Sequence, residues 1–215
     1  MKSYRRLILI TSLCILLPIC AGVILWGRLP ERVPTHFNFQ GVADGWSGKP
    51  FAVFGLPAFL LAMHLICAFA AFHDPKRANV NDKILSLVLW ICPAVSLFVA
   101  AMTYPVALGY PMNVTSFAMT LTGLLFVIVG NYLPKCRQNY TIGIKLPWTL
   151  ADEDNWNRTH RMAGPLWVAA GLITILSAFV RAGQFWIMIA ALGAAGIVPV
   201  VYSAVLYAAK QRKES

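Results

Sequence analysis

The chain has 215 residues, 59% of them hydrophobic and 12% charged, about half the charge content of an ordinary soluble domain. That balance argues against a water-soluble globular protein. The net charge of +10 does not signal nucleic acid either, because the Lys and Arg residues flank apolar blocks instead of forming a stripe.

Taken in chain order, the apolar blocks predict an all-α polytopic membrane protein with six transmembrane helices, at residues 7–26, 51–72, 84–102, 117–132, 165–180 and 185–208. Each block is about long enough to cross hydrocarbon, where only a helix satisfies its own backbone. The first carries the basic start of a signal peptide (Lys2, Arg5, Arg6) but no small-x-small cleavage site, so it is expected to stay as a retained helix. We read a single membrane domain over 1–215: a first hairpin over 1–72 with an outer polar loop at 29–50, an inner motif loop at 131–165 and a C-terminal helical hairpin at 165–208.

Orientation follows from basic residues. With the N-terminus inside, only Arg28, Arg32, Lys49 and Arg181 fall in outer segments, and the other 14 of the 18 Lys and Arg fall in inner ones. The expected location is therefore the cell membrane, multi-pass, with both termini cytoplasmic and the basic flanks meeting membrane lipid.

Within the spans, Pro18, Pro57 and Pro93 are expected to kink helices that neighbours re-satisfy. His64 lies at membrane depth, where an ionisable residue is a functional suspect, against a structural reading as a neutral imidazole bonded to a neighbouring helix. Cys14, Cys20, Cys67 and Cys92 sit in apolar blocks and Cys136 in a loop, with no CxxC, so neither a disulfide framework nor a zinc site is expected.

The outer loop reads LPERVPTHFNFQGVADGWSGKP. Prolines stiffen its start and Gly41, Gly45 and Gly48 allow tight turns, so it is expected to form an ordered cap. Pro34, Thr35, His36, Asn38, Gly41, Asp44 and Lys49, among Phe37, Phe39 and Trp46, mix donors, acceptors and rings as an amphipathic ligand requires. The plainer reading is that His36 and Asn38 bond the turns of their own loop. One His and one Asp make a weak metal signal, so no metal and no cofactor is expected.

The inner loop reads NYLPKCRQNYTIGIKLPWTLADEDNWNRTHRMAGP. Thr149 followed by Asp152 predicts a capped start to a short interfacial helix over about 150–162, which Gly164 and Pro165 then break. On it Trp156 and His160 share one face, Asp154 and Arg158 pair on another, and Trp148 joins Trp156 at the headgroup level. Arg158 and Arg161 are left for lipid phosphate or a protein partner; a simple interfacial anchor is the plainer account.

At these residues the chain resembles the Sdp immunity protein (SdpI) family of bacterial integral membrane proteins. The outer loop carries the resemblance through Leu29-Pro30, Val33-Pro34-Thr35-His36-Phe37-Asn38, Gly41, Asp44-Gly45 and Lys49. The inner one carries it through Gly130-Asn131-Tyr132-Leu133-Pro134-Lys135, Asn139-Tyr140, Ile142-Gly143-Ile144, Pro147-Trp148-Thr149-Leu150, Trp156, Thr159-His160-Arg161 and Gly164. The resemblance implies resistance to a secreted membrane-active peptide toxin, with a cytoplasmic transcriptional repressor as a further partner; the placement of the charges leaves no direct nucleic-acid contact expected.

In that reading the outer residues meet ligand, and Asn131, Pro134, Lys135, Asn139, Pro147, Trp148, Trp156, His160 and Arg161 serve partner or relay. Two other classes compete. A small-molecule or ion transporter is suggested by His64 and the interrupted helices, although no carboxylate lies inside a span. A membrane enzyme would use His36 with Asp44 or His160 with Glu153, but the chain lacks HExxH, GxSxG and P-loop patterns, so no catalytic residue is expected.

Overall fold

A computed structural model describes residues 2–180 and 183–214. The order of elements is α1 (Lys2–Ile24), β1 (Arg32–Phe37), β2 (Ala43–Gly48), α2 (Leu56–Phe72), α3 (Asp82–Ala107), α4 (Val114–Tyr132), α5 (Pro147–Ala151), α6 (Glu153–Ser177) and α7 (Gln184–Glu214). Among the described residues five helical stretches are long and apolar enough to cross a membrane: Tyr4–Ile24, Phe51–Phe72, Asp82–Ala107, Val114–Lys135 and Gln184–Lys213. The chain is thus a mostly helical, multi-pass membrane protein. It divides into two compact units, one of residues 1–72 and 85–117, the other of 73–84 and 118–215.

The fold departs from the all-α expectation at one place. The outer loop is a two-stranded antiparallel hairpin, with Arg32 opposite Gly48 and Phe37 opposite Ala43, and its register slips on either side of His36. Pro34 in the first strand and three glycines around the second hide this from propensity.

In the first unit, polar side chains tie the helices where apolar packing alone would leave register loose. Thr11 Oγ1 on α1 meets His64 Nε2 on α2 at 3.0 Å, and α3 donates Ser96 Oγ to the Ile15 carbonyl and Tyr104 OH to the Pro18 carbonyl. His64 is thereby bonded to a neighbouring helix, as its structural reading expects. Ahead of α2 the chain makes a π-helical turn, Phe51–Gly55. Pro57 explains it: proline lacks the N–H that an α-helix would give to the carbonyl four residues back, and a wider turn keeps its ring clear of that carbonyl.

In the second unit α4 and α6 cross closely through glycines. A Cβ at Gly123 would stand 2.6 Å from the Gly171 carbonyl, and one at Gly164 would stand 2.4 Å from Pro134 Cγ. Gly164 and Pro165 therefore do not break a short interfacial helix. α6 runs unbroken through them, fusing the polar stretch with the stretch expected as a separate span. Only its last 12 residues follow Pro165, roughly 18 Å of apolar rise, which is why α6 is not counted among the five.

The helix start is corrected as well. Asp152, not Thr149, caps α6, its carboxylate accepting from the Asp154 and Asn155 amides. Arg181, counted as an outer basic residue, lies outside the described residues.

Candidate functional site

The outer hairpin sorts its sequence-predicted residues into scaffold and display. Asn38 closes the tip: its Oδ1 accepts from the Gln40 and Val42 amides, both at 3.0 Å. Gly41 follows at φ +79°, and a Cβ there would stand 2.6 Å from Thr115 Oγ1. Thr35 meets Ser47 hydroxyl to hydroxyl across the strands at 2.9 Å. Pro34 is buried, and so is Lys49, whose ammonium donates to the Trp26 carbonyl, pairs with Glu31 at 2.9 Å and lies over the Trp26 ring.

What remains on display is His36 with Asp44. His36 Nδ1 donates to the Asp44 carboxylate at 2.5 Å, and the two side chains are 74% and 44% exposed. Phe39, Val42 and Trp46 are exposed beside them on the same hairpin. The pair orients an imidazole and a carboxylate among apolar surfaces, an arrangement suited to gripping an amphipathic ligand.

The inner motif is built the opposite way. Trp156 and His160, one helical turn apart on α6, stack at 4.1 Å between ring centroids and are both fully buried. Trp156 therefore turns to protein and not to lipid, so it is no membrane anchor; its indole N–H donates to the Cys136 carbonyl at 2.7 Å. The segment 139–146 wraps this stack. His160 Nδ1–H donates to the Trp156 carbonyl and its Nε2 accepts from the Ile144 amide at 2.9 Å, so both ring nitrogens are committed in the neutral form. Burial accordingly holds its pKa below the ordinary histidine value, against the opposing pull of the Trp156 carbonyl.

Gly143 makes this wrap possible. Its φ is +125°, and a Cβ there would sit 2.6 Å from His160 Nε2 and 2.9 Å from Trp156. Asn139, 1% exposed, spends its amide on the loop itself, accepting from the Thr141 and Ile142 amides and donating to the Arg137 and Ile142 carbonyls. Burial also pushes the Cys136 thiol up to about 11.

The rest of the set divides likewise. Pro147 opens α5, Trp148 donates to Ser203 Oγ and stacks on Tyr207, and Lys135 lies over the Tyr132 ring. Asn131, Pro134 and Arg161 are exposed. Asp154 and Arg158 form the expected pair at 3.6 Å. Lys210 of α7 pairs with Asp152 at 3.0 Å; burial opposes that charge, but Lys210 and the two capping amides outweigh it and hold the carboxyl below its usual range.

Sequence reasoning passed over Asp74. Two residues beyond α2, its buried carboxylate accepts from the Lys76 and Tyr140 amides and from Thr141 Oγ1 at 2.6 Å. Lys76 adds a bond to Gln138, which in turn donates to the Thr149 and Leu150 carbonyls. The local signal was an Asp-Pro turn, which accounts for the Lys76 amide; Tyr140 and Thr141 lie 66 and 67 positions away, beyond the reach of any short motif.

Comparison with known proteins gives two family matches. Residues 135–203 match the SdpI/YfhL protein family, and residues 13–61 match a domain of unknown function, DUF1648. The chain is also 28% identical to the immunity protein SdpI of Bacillus subtilis (strain 168) over 182 residues, covering 84% of this chain and 85% of that relative. No solved structure matches it. The outer hairpin lies within the second family match, and most of the inner motif lies within the first.

Proposed function

We propose that this relative of the SdpI/YfhL family is a membrane immunity and receptor protein that protects a cell from a secreted membrane-active peptide toxin. It binds rather than catalyses. The observation that carries the reading is the contrast on the hairpin: every other polar motif residue is spent on folding, while His36 and Asp44 stand exposed among Phe39, Val42 and Trp46. The likeness over most of the chain to a protein named for immunity supports an immunity role, and the family resemblance in the two loops implies the class of ligand.

In this reading the membrane topology has six spans with both termini in the cytoplasm, supported by the 14-to-4 distribution of basic residues. The hairpin then faces outward and the inner motif faces the cytoplasm, where exposed Arg161, Pro134 and Asn131 are available to a repressor. Binding outside affects the inner motif only through two helix arrangements of different ligand affinity.

The test is a challenge of a sensitive host with the cognate peptide, scoring survival and reporter induction at matched expression. His36→Ala and Asp44→Asn are expected to lose both outputs while inserting normally. Arg161→Ala is expected to keep survival and lose induction. Full resistance in the His36 and Asp44 variants would overturn the binding face, and joint loss of both outputs in Arg161→Ala would overturn the division of roles.

A further inference from the structure

Between the first turns of α6 and the last turns of α7 lies a groove of about 340 Å³. Asp152 and Asp154 line it, and each already has a cation: Lys210 at 3.0 Å and Arg158 at 3.6 Å. Buried Asn155 lies beside them, tied to the Ser203 carbonyl on α7. Lys213 is a third cation in the lining, and among the described residues no third carboxylate lines the groove to match it. The groove thus carries one surplus positive charge inside a ring of charge-assisted donors, the chemistry that selects a phosphate.

Its place along α7 narrows the source of that phosphate. The helix has 31 residues, about 46 Å of rise against roughly 30 Å of hydrocarbon, so about ten residues project beyond the apolar layer. Trp148 stacks on Tyr207 one turn before Lys210, an aromatic pair of the kind that marks the interface level. From Ala209, at the groove, an exposed ridge of Val205, Val201 and Val198 runs back along the same face of α7 at spacings of four, four and three. A phosphate ion would use the cations and leave this ridge bare.

We propose that the groove is a binding site for an anionic phospholipid, with Lys213, Arg158 and Lys210 around the headgroup phosphate and an acyl chain along Val205, Val201 and Val198. The site is independent of the toxin reading and would be present whatever the hairpin binds.

The experiment is native mass spectrometry of the purified full-length protein in detergent with defined amounts of phosphatidylglycerol and phosphatidylcholine. Retained phosphatidylglycerol is expected in excess over phosphatidylcholine. Lys213→Ala should cut it about fivefold, the usual effect of one basic residue on anionic lipid, and Lys213→Arg should retain it. Arg158→Gln, on the opposite wall, should give a similar loss, which keeps the test open if the first variant folds poorly. Lys83→Ala, which removes an exposed cation elsewhere, should change retention less than twofold. An equal loss in Lys83→Ala would show diffuse charge attraction and overturn the site. Displacement of the lipid by millimolar inorganic phosphate would overturn the lipid assignment in favour of the free ion.

Discussion

The hairpin at 32–48 and the inner motif at 131–165 look alike as sequence: each mixes aromatic rings, a histidine, asparagine, proline and glycine. In the structure their histidines have opposite fates. His36 is mostly exposed and bonded to a single exposed carboxylate, whereas His160 is fully buried with both nitrogens taken by the backbone. The difference teaches that a polar motif is not evidence of a binding surface until its side chains are accounted for. The inner motif spends its buried polar groups on its own architecture, and the hairpin keeps one pair in reserve.

That comparison is broken most forcefully at Gly143. Gly143→Ala adds a methyl where φ is +125° and where His160 and Trp156 already stand within 3 Å of it. Strain and overpacking together should cost about 3 kcal/mol, read as a large fall in the detergent melting temperature and in membrane accumulation. A melting temperature unchanged by this substitution would mean the wrap around the ring stack is not tight.

Asp74→Ala is next. It strips three donors of a buried acceptor, and an orphaned buried group costs about 1–3 kcal/mol. Asp74→Asn should fall between wild type and alanine. Trypsin sensitivity of the 135–145 segment should rise in parallel, since Asp74 anchors Tyr140 and Thr141.

The pH dependence is smaller. Because the folded-state pKa of His160 lies below its unfolded value near 6.5, the unfolded chain takes up a proton that the folded chain refuses. The stability it lends is therefore complete above about pH 6.5 and declines as pH falls below it, by at most about 1.4 kcal/mol per pH unit. Melting between pH 8 and 5 should show this slope, and His160→Asn, though less stable, should show less of it.

The smallest effect on folding is expected at the hairpin. His36→Ala and Asp44→Asn remove an exposed pair, worth under about 1 kcal/mol, so melting should barely move while ligand response is lost. If those variants instead unfolded the protein, the two regions would not differ in kind.

Much of this was legible in the sequence, and the exceptions have causes. Five of the six expected spans are matched by long apolar helices, because periodicity at that length is hard to mistake. The residues carrying the resemblance were all locatable, but their burial was not: Trp156 and His160 share a helix face whether that face meets lipid or protein. Gly164-Pro165 read as a break because the local rule for proline is strong, yet α6 continues through both residues, with Pro134 and Gly130 packed close against Gly164. The hairpin was hidden by proline and glycine in its strands, and Asp74 by the long sequence distance to its partners.

Cys136 turns the inner motif into a gauge of its own opening. With its thiol raised to about 11, only about one molecule in ten thousand carries the reactive thiolate at pH 7, and the sulfur is shut behind Asn139 and Ile142. Alkylation must therefore wait for the segment to swing away from Trp156, and the labelling rate becomes a count of openings, as amide exchange is for a backbone. The other four cysteines lie in long apolar helices, so a water-soluble maleimide should report on this position almost alone. A receptor that transmits by loosening its inner motif would label faster when its ligand arrives, and one that transmits by tightening it would label more slowly.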